Sequence, residues 1–206
     1  MSTFKLPSIR EIPKISNNDF LTIIDSLFEP NDTLHSIITG GEAEAVLKVT
    51  EYSSYDELID AVKKHIEDVT AGGDKRLDEV LAAHPRLGAK KVESAQSQAE
   101  QAQLNTGGEE EAKKLAAFNK EYEKQFPGLR YVVFVNGRSR EEIMKNMRVR
   151  IDRGDIELER KEALQVYILF VFSTSPLRML VPNTYLVRLC QTSQRIALAN
   201  CTKHKA

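Results

Sequence analysis

The chain has 206 residues, of which 41% are hydrophobic and 29% charged, with a formal net charge of -1. This length is enough for one domain with a buried core, and the near-neutral charge argues against a protein that binds nucleic acid through a basic surface. The longest apolar run, residues 166–172, is far shorter than the roughly 20 residues that cross a membrane.

Apolar residues recur at helical spacing through the first half of the chain. Residues 20–28 form one such stripe, and we expect Asn17 or Asn18 to cap that helix. Ser54 and Glu57 have the spacing of a capping box and predict the start of a second helix. Both patterns indicate amphipathic helices that pack on a common core.

The helical pattern continues in the middle of the chain. Asp74 is expected to cap a short helix, residues 93–104 are rich in Ala and Gln, and residues 112–126 form another apolar stripe. Asn119 and Tyr122 interrupt that stripe. Because buried polar groups need partners, we predict that these two side chains buttress neighbouring segments.

Residues 131–135 form a short apolar, β-branched run, a pattern that on its own predicts a strand. The sequence offers no second convincing strand, so we predict an extended connector buried among helices. Ser139 and Glu142 then have capping-box spacing, and a further helix is expected to begin near Asp155. The predicted fold class is all-α, a single-domain helical bundle with one short extended apolar connector.

After Gln165 the helical period stops. Seven apolar residues follow in a row, and no clean period runs through the rest. We therefore predict a helical domain over residues 1–165 and an atypical C-terminal tail of uncertain structure over residues 166–206.

The first candidate for chemistry is the stretch His84-Pro85-Arg86-Leu87-Gly88. Histidine has an unperturbed pKa near 6.5, which suits proton transfer at neutral pH, and the proline holds the imidazole on a rigid turn. The structural alternative is equally specific, because a histidine before proline also ends a helix and complements its dipole.

The second candidate is the segment of Ser97, Gln98, Ala99, Glu100 and Gln101. Ser97 and Glu100 lie one turn apart, so on a helix they share a face. A hydroxyl, a carboxylate and an amide together are able to hold a ring with ureido and carbonyl groups. The alternative interpretation is a capping box at a helix start.

The third candidate is the connector itself: Tyr131, Val132, Val133, Phe134 and Val135. Its backbone amides and carbonyls have no helical partners and must be satisfied elsewhere, for example by a flat heterocycle. The alternative is a connector that only fills the core.

Other classes of site lack their motifs in this sequence. No HExxH, CxxC or other metal-ligand pattern, no glycine-rich phosphate loop and no nucleophile elbow occurs. His35 and His65 are interpreted as surface histidines. The sequence therefore contains no local pattern for a metal, phosphate or activated-serine site.

Taken in order, these segments resemble the 2-oxo-4-hydroxy-4-carboxy-5-ureidoimidazoline (OHCU) decarboxylase family. Each motif is weak alone, and the resemblance depends on their order over residues 20–165. The motifs are Leu27-Phe28-Glu29, Ala83-His84-Pro85-Arg86-Leu87-Gly88, Ser97-x-x-Glu100-Gln101, Asn119-x-x-Tyr122-x-x-x-Phe126, residues 131–135, and the turn Gly137-Arg138-Ser139.

The resemblance implies a cofactor-independent all-α carboxy-lyase, commonly a homodimer, that converts OHCU to (S)-allantoin and carbon dioxide in urate breakdown. It implies that His84 is the catalytic acid/base and that Glu100 orients the substrate and influences the histidine. Pro85, Ser97 to Gln101 and the backbone of residues 131–135 would line the substrate. Many relatives carry Arg or Lys where Asn136 stands, and we expect Arg138 to compensate.

Asn136 and the atypical tail leave a second hypothesis open, an inactive helical relative that binds ureides or acts as a protein-interaction module. The expected partners are a small ureide and a second copy of the chain, with no nucleic acid or membrane. Relatives are cytoplasmic or peroxisomal, and His204-Lys205-Ala206 does not match the Ser-Lys-Leu peroxisomal signal. Only Cys190 and Cys201 are cysteines, so no disulfide framework is predicted and a reducing compartment is expected.

Overall fold

The computed structural model describes residues 5–40, 43–88, 109–133 and 138–174. Within these ranges the chain forms helices and no strand, which confirms the all-α prediction. The elements are a 3-10 helix η1 (Ile9–Lys14) and the α-helices α1 (Asn17–Leu27), α2 (Asp32–Thr39), α3 (Ala43–Val49), α4 (Tyr55–Val69), α5 (Lys75–Ala82), α6 (Glu109–Gln125), α7 (Arg140–Arg153) and α8 (Ile156–Thr174).

The N-terminal cap of α1 differs from the predicted one. Ser16, rather than Asn17 or Asn18, caps the helix, and its Oγ accepts a hydrogen bond from the Asp19 backbone N–H at 3.1 Å. A cap residue needs a non-helical backbone, and Ser16 is extended, whereas the two asparagines already lie in the first turn.

The other predicted caps are present. Asp74 caps α5, and Ser139 forms a complete capping box with Glu142 at the start of α7. Ser54 caps α4, but the Glu57 carboxylate returns to the backbone N–H of Ser53 at 2.8 Å instead of to Ser54. Local side-chain chemistry therefore sets where these helices begin.

Helix α8 passes straight through Gln165 and carries the apolar residues 166–172, all of which are buried. The helix packs against α4 and α5, while α6 packs against α7. A helix that is apolar on every side lacks the amphipathic period that identifies surface helices, which explains why the pattern in the sequence stops there. No helix in the described ranges is long and apolar enough to span a bilayer.

The core lies between α1, α2, α4, α5 and α8, with α6 and α7 adding a second pair of helices. Bulky side chains fill it, and several aromatic rings are fully buried. The largest of these are Tyr122, Tyr167, Phe20, Phe28, Phe126 and Phe172.

Two histidines predicted to lie on the surface are half-buried. Nε2 of His35 lies 2.6 Å from Oδ1 of Asp25, and Nε2 of His65 lies 3.0 Å from the Ile37 carbonyl. Each ring links two helices, because the histidine and its partner belong to different elements. Both side chains are thus partly exposed, and their long-range partners were not predicted because such partners leave no local pattern in the sequence.

Candidate active site

His84 lies in the turn directly after α5. Its backbone N–H donates to the Leu81 carbonyl at 3.4 Å, and Pro85 then prevents the helix from continuing. The turn is tied to α6, where Nδ2 of Asn119 donates to the Leu87 carbonyl at 2.9 Å. Asn119 thus buttresses this turn, as predicted from its place on the apolar stripe.

Gly88 ends the same turn with φ of +81°, a conformation that side chains disfavour. A Cβ at this position would lie 2.9 Å from Cδ2 of Leu115 on α6. The glycine therefore lets the turn that carries His84 approach α6 closely.

The His84 side chain is buried, with 5% of its surface exposed. Its ring packs nearly perpendicular to two aromatic rings from α8, in edge-to-face contacts. The ring centroids lie 4.8 Å from Phe170 and 6.5 Å from Tyr167, with interplanar angles of 79° and 77°. The C-terminal half of α8 therefore covers the imidazole with apolar groups.

Burial, together with the smaller effect of the nearby positive charge of Arg130, lowers the pKa of His84 from 6.5 to about 4. Removal from water disfavours the charged imidazolium, and a neighbouring cation acts in the same direction. At neutral pH the ring is therefore uncharged and able to accept a proton.

Arg130 also joins the His84 turn to the predicted connector. Its Nη1 donates to the His84 carbonyl at 3.3 Å. The next three residues, Tyr131, Val132 and Val133, are buried and belong to no helix or strand. The structure thus brings the turn and the first part of the connector together, and it confirms a buried, non-helical connector for these three residues.

The connector is held from the side of α7. Nη1 of Arg150 donates to the Val132 carbonyl at 3.1 Å, and its guanidinium carbon lies 4.9 Å from the centroid of the Tyr131 ring. The Tyr131 hydroxyl donates to Oδ1 of Asn146 at 2.6 Å. Burial raises the pKa of Tyr131 to about 12, although the Arg150 and Arg138 cations act in the opposite direction.

Arg150 belongs to a buried charge cluster, which we define as Arg150, Arg153, Glu159 and Glu162. Two cations and two anions balance each other, and Glu159 is 0% exposed. Arg150 and Arg153 both donate to Glu159, and Arg153 also donates to Glu162 at 2.7 Å. Burial is the largest single influence and would lower the pKa of Arg150, but the charge and hydrogen bond of Glu159, together with Tyr122 and Tyr131, raise the pKa overall.

Tyr122 of α6 joins this cluster through a hydrogen bond from its hydroxyl to Oε1 of Glu159. Burial raises the pKa of Tyr122. The tyrosine therefore stays protonated and links α6 to α8, which agrees with the structural role predicted for it.

The remaining predicted site residues divide into two groups. Pro85 is half-buried beside His84, and Arg138 is exposed two residues before α7, close enough to Tyr131 for its charge to act there. The others lie outside the described residues: Ser97, Gln98, Ala99, Glu100, Gln101, Phe134 and Val135.

Three residues of this region were not predicted from the sequence: Arg130, Arg150 and Phe170. Arg150 left a detectable signal, because it falls on the same helical face as Ile143 and Met147, both buried. A charge in register with an apolar stripe indicates a buried partner. Phe170 left none, since it stands within a continuous apolar run.

Within the described ranges no three His, Cys, Asp or Glu side chains are grouped as metal ligands. The described residues of this region include an uncharged imidazole, a cation beside it and a backbone segment held by a second cation.

These features define an all-helical protein with a buried, uncharged histidine on a turn that is tied to a non-helical connector. A family model described as OHCU decarboxylase matches residues 13–167, about three quarters of the chain. The chain belongs to the OHCU decarboxylase family, a family of decarboxylases of urate degradation, and the resemblance inferred from the motifs is confirmed. No curated protein sequence matches the chain.

Proposed function

We propose that this protein decarboxylates OHCU to (S)-allantoin, with His84 as the acid/base. The observation that carries this proposal is the uncharged imidazole, with a pKa of about 4, on the turn that Arg130 ties to the connector. In a decarboxylase of this family, such a group is suited to accept a proton and return it at a fixed position.

The reaction requires little more than positioning of the substrate and a few proton transfers. When the carboxylate leaves as carbon dioxide, its electron pair delocalises into the C–N π system of the substrate. A proton then bonds to the ureido-bearing carbon, while the neighbouring hydroxyl loses its proton and becomes the ring carbonyl. The ring nitrogen that receives the electron pair takes up a proton from solvent, so one proton is consumed overall for each carbon dioxide released. His84 accepts the hydroxyl proton and delivers a proton to one face of the carbon, which yields a single enantiomer.

The low pKa of His84 is suited to a substrate that carries a negative charge. An anion beside the imidazole favours the protonated form and opposes the effects of burial and of Arg130. Substrate binding therefore raises the pKa of His84 toward neutrality, where proton transfer is most effective.

Further parts of the proposal concern the residues around the histidine. Glu100 orients the substrate, Pro85 and residues 97–101 line it, and the backbone of residues 131–135 contacts its amide groups. Arg138 supplies a cation for the anionic substrate in place of Asn136. We also propose that the protein acts as a homodimer without a cofactor.

The test generates unstable OHCU in place from urate with the two preceding enzymes and follows the optical activity of allantoin. The protein is expected to accelerate formation of the (S)-enantiomer. His84→Gln should reduce the rate by about 10²–10⁴-fold, the usual contribution of one acid/base group. His65→Gln is the matched control. It removes another histidine, a half-buried one on α4 whose ring bonds to the Ile37 carbonyl of α2.

A rate and product equal to the spontaneous, racemic decay would overturn the decarboxylase proposal. That result would favour an inactive relative that binds ureides or other proteins. Binding of allantoin without turnover, measured by calorimetry, would separate the ureide-binding form of that alternative from the protein-interaction form.

A further inference from the structure

One guanidinium, that of Arg150, joins the buried charge cluster to the connector. Its Nη1 donates to the Val132 carbonyl at 3.1 Å, and its Nε donates to Oε2 of Glu159 at 3.0 Å. The same group lies over the Tyr131 ring at 4.9 Å. Arg150 is 4% exposed, so these contacts are shielded from water.

The geometry of a peptide unit gives this contact a directional consequence. The Val132 carbonyl and the Val133 N–H belong to one planar peptide, and the described backbone has no cis bond. In a trans peptide the carbonyl and the N–H point in opposite directions. Because Arg150 holds the carbonyl toward α7, the Val133 N–H is directed away from α7.

We propose that Arg150 is a positioning residue of the substrate site, which fixes the peptide between Val132 and Val133 so that its N–H is presented to a carbonyl or ureido oxygen of the substrate. This inference rests on the proposed function, because it requires the connector to line the bound ureide. Arg150 itself does not touch the reacting atoms.

The fixed fork of arginine explains why this residue type is needed. A guanidinium donates to a carboxylate and to a carbonyl at the same time from one rigid plane, whereas an ammonium is a compact point charge on a flexible stem. Arg150→Lys retains the positive charge near Glu159 but loses the hydrogen bond either to the Glu159 carboxylate or to the Val132 carbonyl. The peptide then samples other orientations.

Arg153 provides a matched control within the same cluster. It donates to Glu159 at 2.9 Å and to Glu162 at 2.7 Å, and in the described part of the chain its hydrogen bonds go to these two carboxylates. Arg153→Lys therefore perturbs the same buried charges without changing the contact to the connector. Loss of stability is expected in both variants.

The first readout is amide hydrogen exchange at residues 131–133, which does not depend on activity. Arg150→Lys should raise exchange there by at least about tenfold relative to Arg153→Lys, since loss of one buried hydrogen bond has an effect of this order. Equal exchange in the two variants, at matched stability, would overturn the inference.

The second readout is steady-state turnover of OHCU. Arg150→Lys should raise KM about tenfold and lower the enantiomeric excess of allantoin, because a less fixed peptide holds the substrate less well. Arg153→Lys should leave both close to the wild-type values. An equal fall in kcat in both variants, with KM and enantiomeric excess unchanged, would mean that Arg150 only stabilises the fold.

A double variant covers the case in which Arg150→Lys fails to fold. Arg150→Met with Glu159→Gln removes one cation and one anion together, so no unpaired buried charge remains and the Arg153–Glu162 pair is retained. This variant should fold and show the same rise in exchange and in KM. Wild-type exchange and KM would overturn the inference.

The two readouts also separate this inference from the proposed function. If wild-type protein gives only racemic allantoin at the spontaneous rate, the proposed function fails whatever the exchange data show. If wild-type protein is active and Arg150→Lys matches Arg153→Lys in both readouts, only the positioning role fails.

Discussion

The imidazole of His84 and the ring of Phe170 lie 4.8 Å apart between centroids and meet at 79°, so that one ring presents its edge to the other. This contact joins the turn after α5 to the C-terminal half of α8. It places an apolar surface where water would otherwise solvate a charged imidazolium. The low pKa of His84 therefore depends on a residue 86 positions away in the sequence.

Phe170→Leu should raise the pKa of His84 from about 4 toward 6.5, because a smaller side chain admits water to the ring. Titration of labelled histidine side chains by NMR measures this change, and the His84 signal is assigned by its loss in His84→Gln. Phe126→Leu is the control, since Phe126 packs on Tyr122 at 5.0 Å in another part of the core. An unchanged pKa in Phe170→Leu would contradict the role given to this ring.

Arg130→Met should also raise the pKa of His84, but by less than Phe170→Leu does. Burial is the larger cause of the low pKa and Arg130 the smaller one, so the pKa should stay below 6.5 when the cation is removed. The same NMR titration measures it. A rise to 6.5 or above would show that charge, rather than burial, controls this histidine.

The pH dependence of stability follows from the same group. The folded-state pKa of about 4 lies below the ordinary value of 6.5. Between pH 6.5 and 4 the unfolded chain binds a proton at His84 and the folded chain does not. The stabilisation is therefore complete above pH 6.5 and is lost as the pH falls toward 4.

His84→Gln should abolish this part of the pH dependence. The difference between 6.5 and about 4 corresponds to about 3 kcal/mol in the free energy of unfolding. Urea unfolding of wild type and variant across this pH range measures it, and the two curves should converge as the pH falls. Curves that run parallel from pH 7 to pH 4 would show that His84 is not buried in its uncharged form.

Asp78 links α5 to α8 through a bidentate ion pair with Arg160. Nε and Nη2 of Arg160 donate to the two carboxylate oxygens of Asp78 at 2.8 and 2.7 Å. Asp78→Asn should lower the free energy of unfolding by about 2 kcal/mol, since charge-assisted bonds are lost in a buried setting.

The control for Asp78 is an exposed pair within one helix. Lys64 and Asp68 lie one turn apart on α4 with both side chains mostly exposed. Asp68→Asn should lower the free energy of unfolding by no more than about 0.5 kcal/mol. Denaturant midpoints compare the two variants, and equal losses would mean that the Asp78 pair adds no more than a surface pair.

The sequence predicted the features that depend on neighbouring residues. The capping box of Ser139 and Glu142, the cap at Asp74 and the non-helical start of the connector at Tyr131 were all identified from local patterns. The cap of α1 was placed one or two residues late, because Ser, Asn and Asn follow one another and all are good caps. Helix ends are assigned poorly where several suitable caps are adjacent.

The features that were missed depend on distant residues. Arg150 and Glu159 belong to different helices, and their pairing across the loop at Gly154 has no helical spacing. The second half of α8 was missed because helices buried on all sides show no polar face. Its contact with His84 is set by tertiary packing, which no local pattern encodes.

Helix α8 is also a rigid link between two distant parts of the protein. Glu159 near its start anchors the guanidinium that holds the connector, and Phe170 near its end covers the imidazole. Insertion of a single residue between them would turn one end relative to the other by about 100°. The spacing along this one helix thus sets the register between the imidazole of His84 and the backbone of the connector, and changes of length there should be tolerated far less well than changes of side chain.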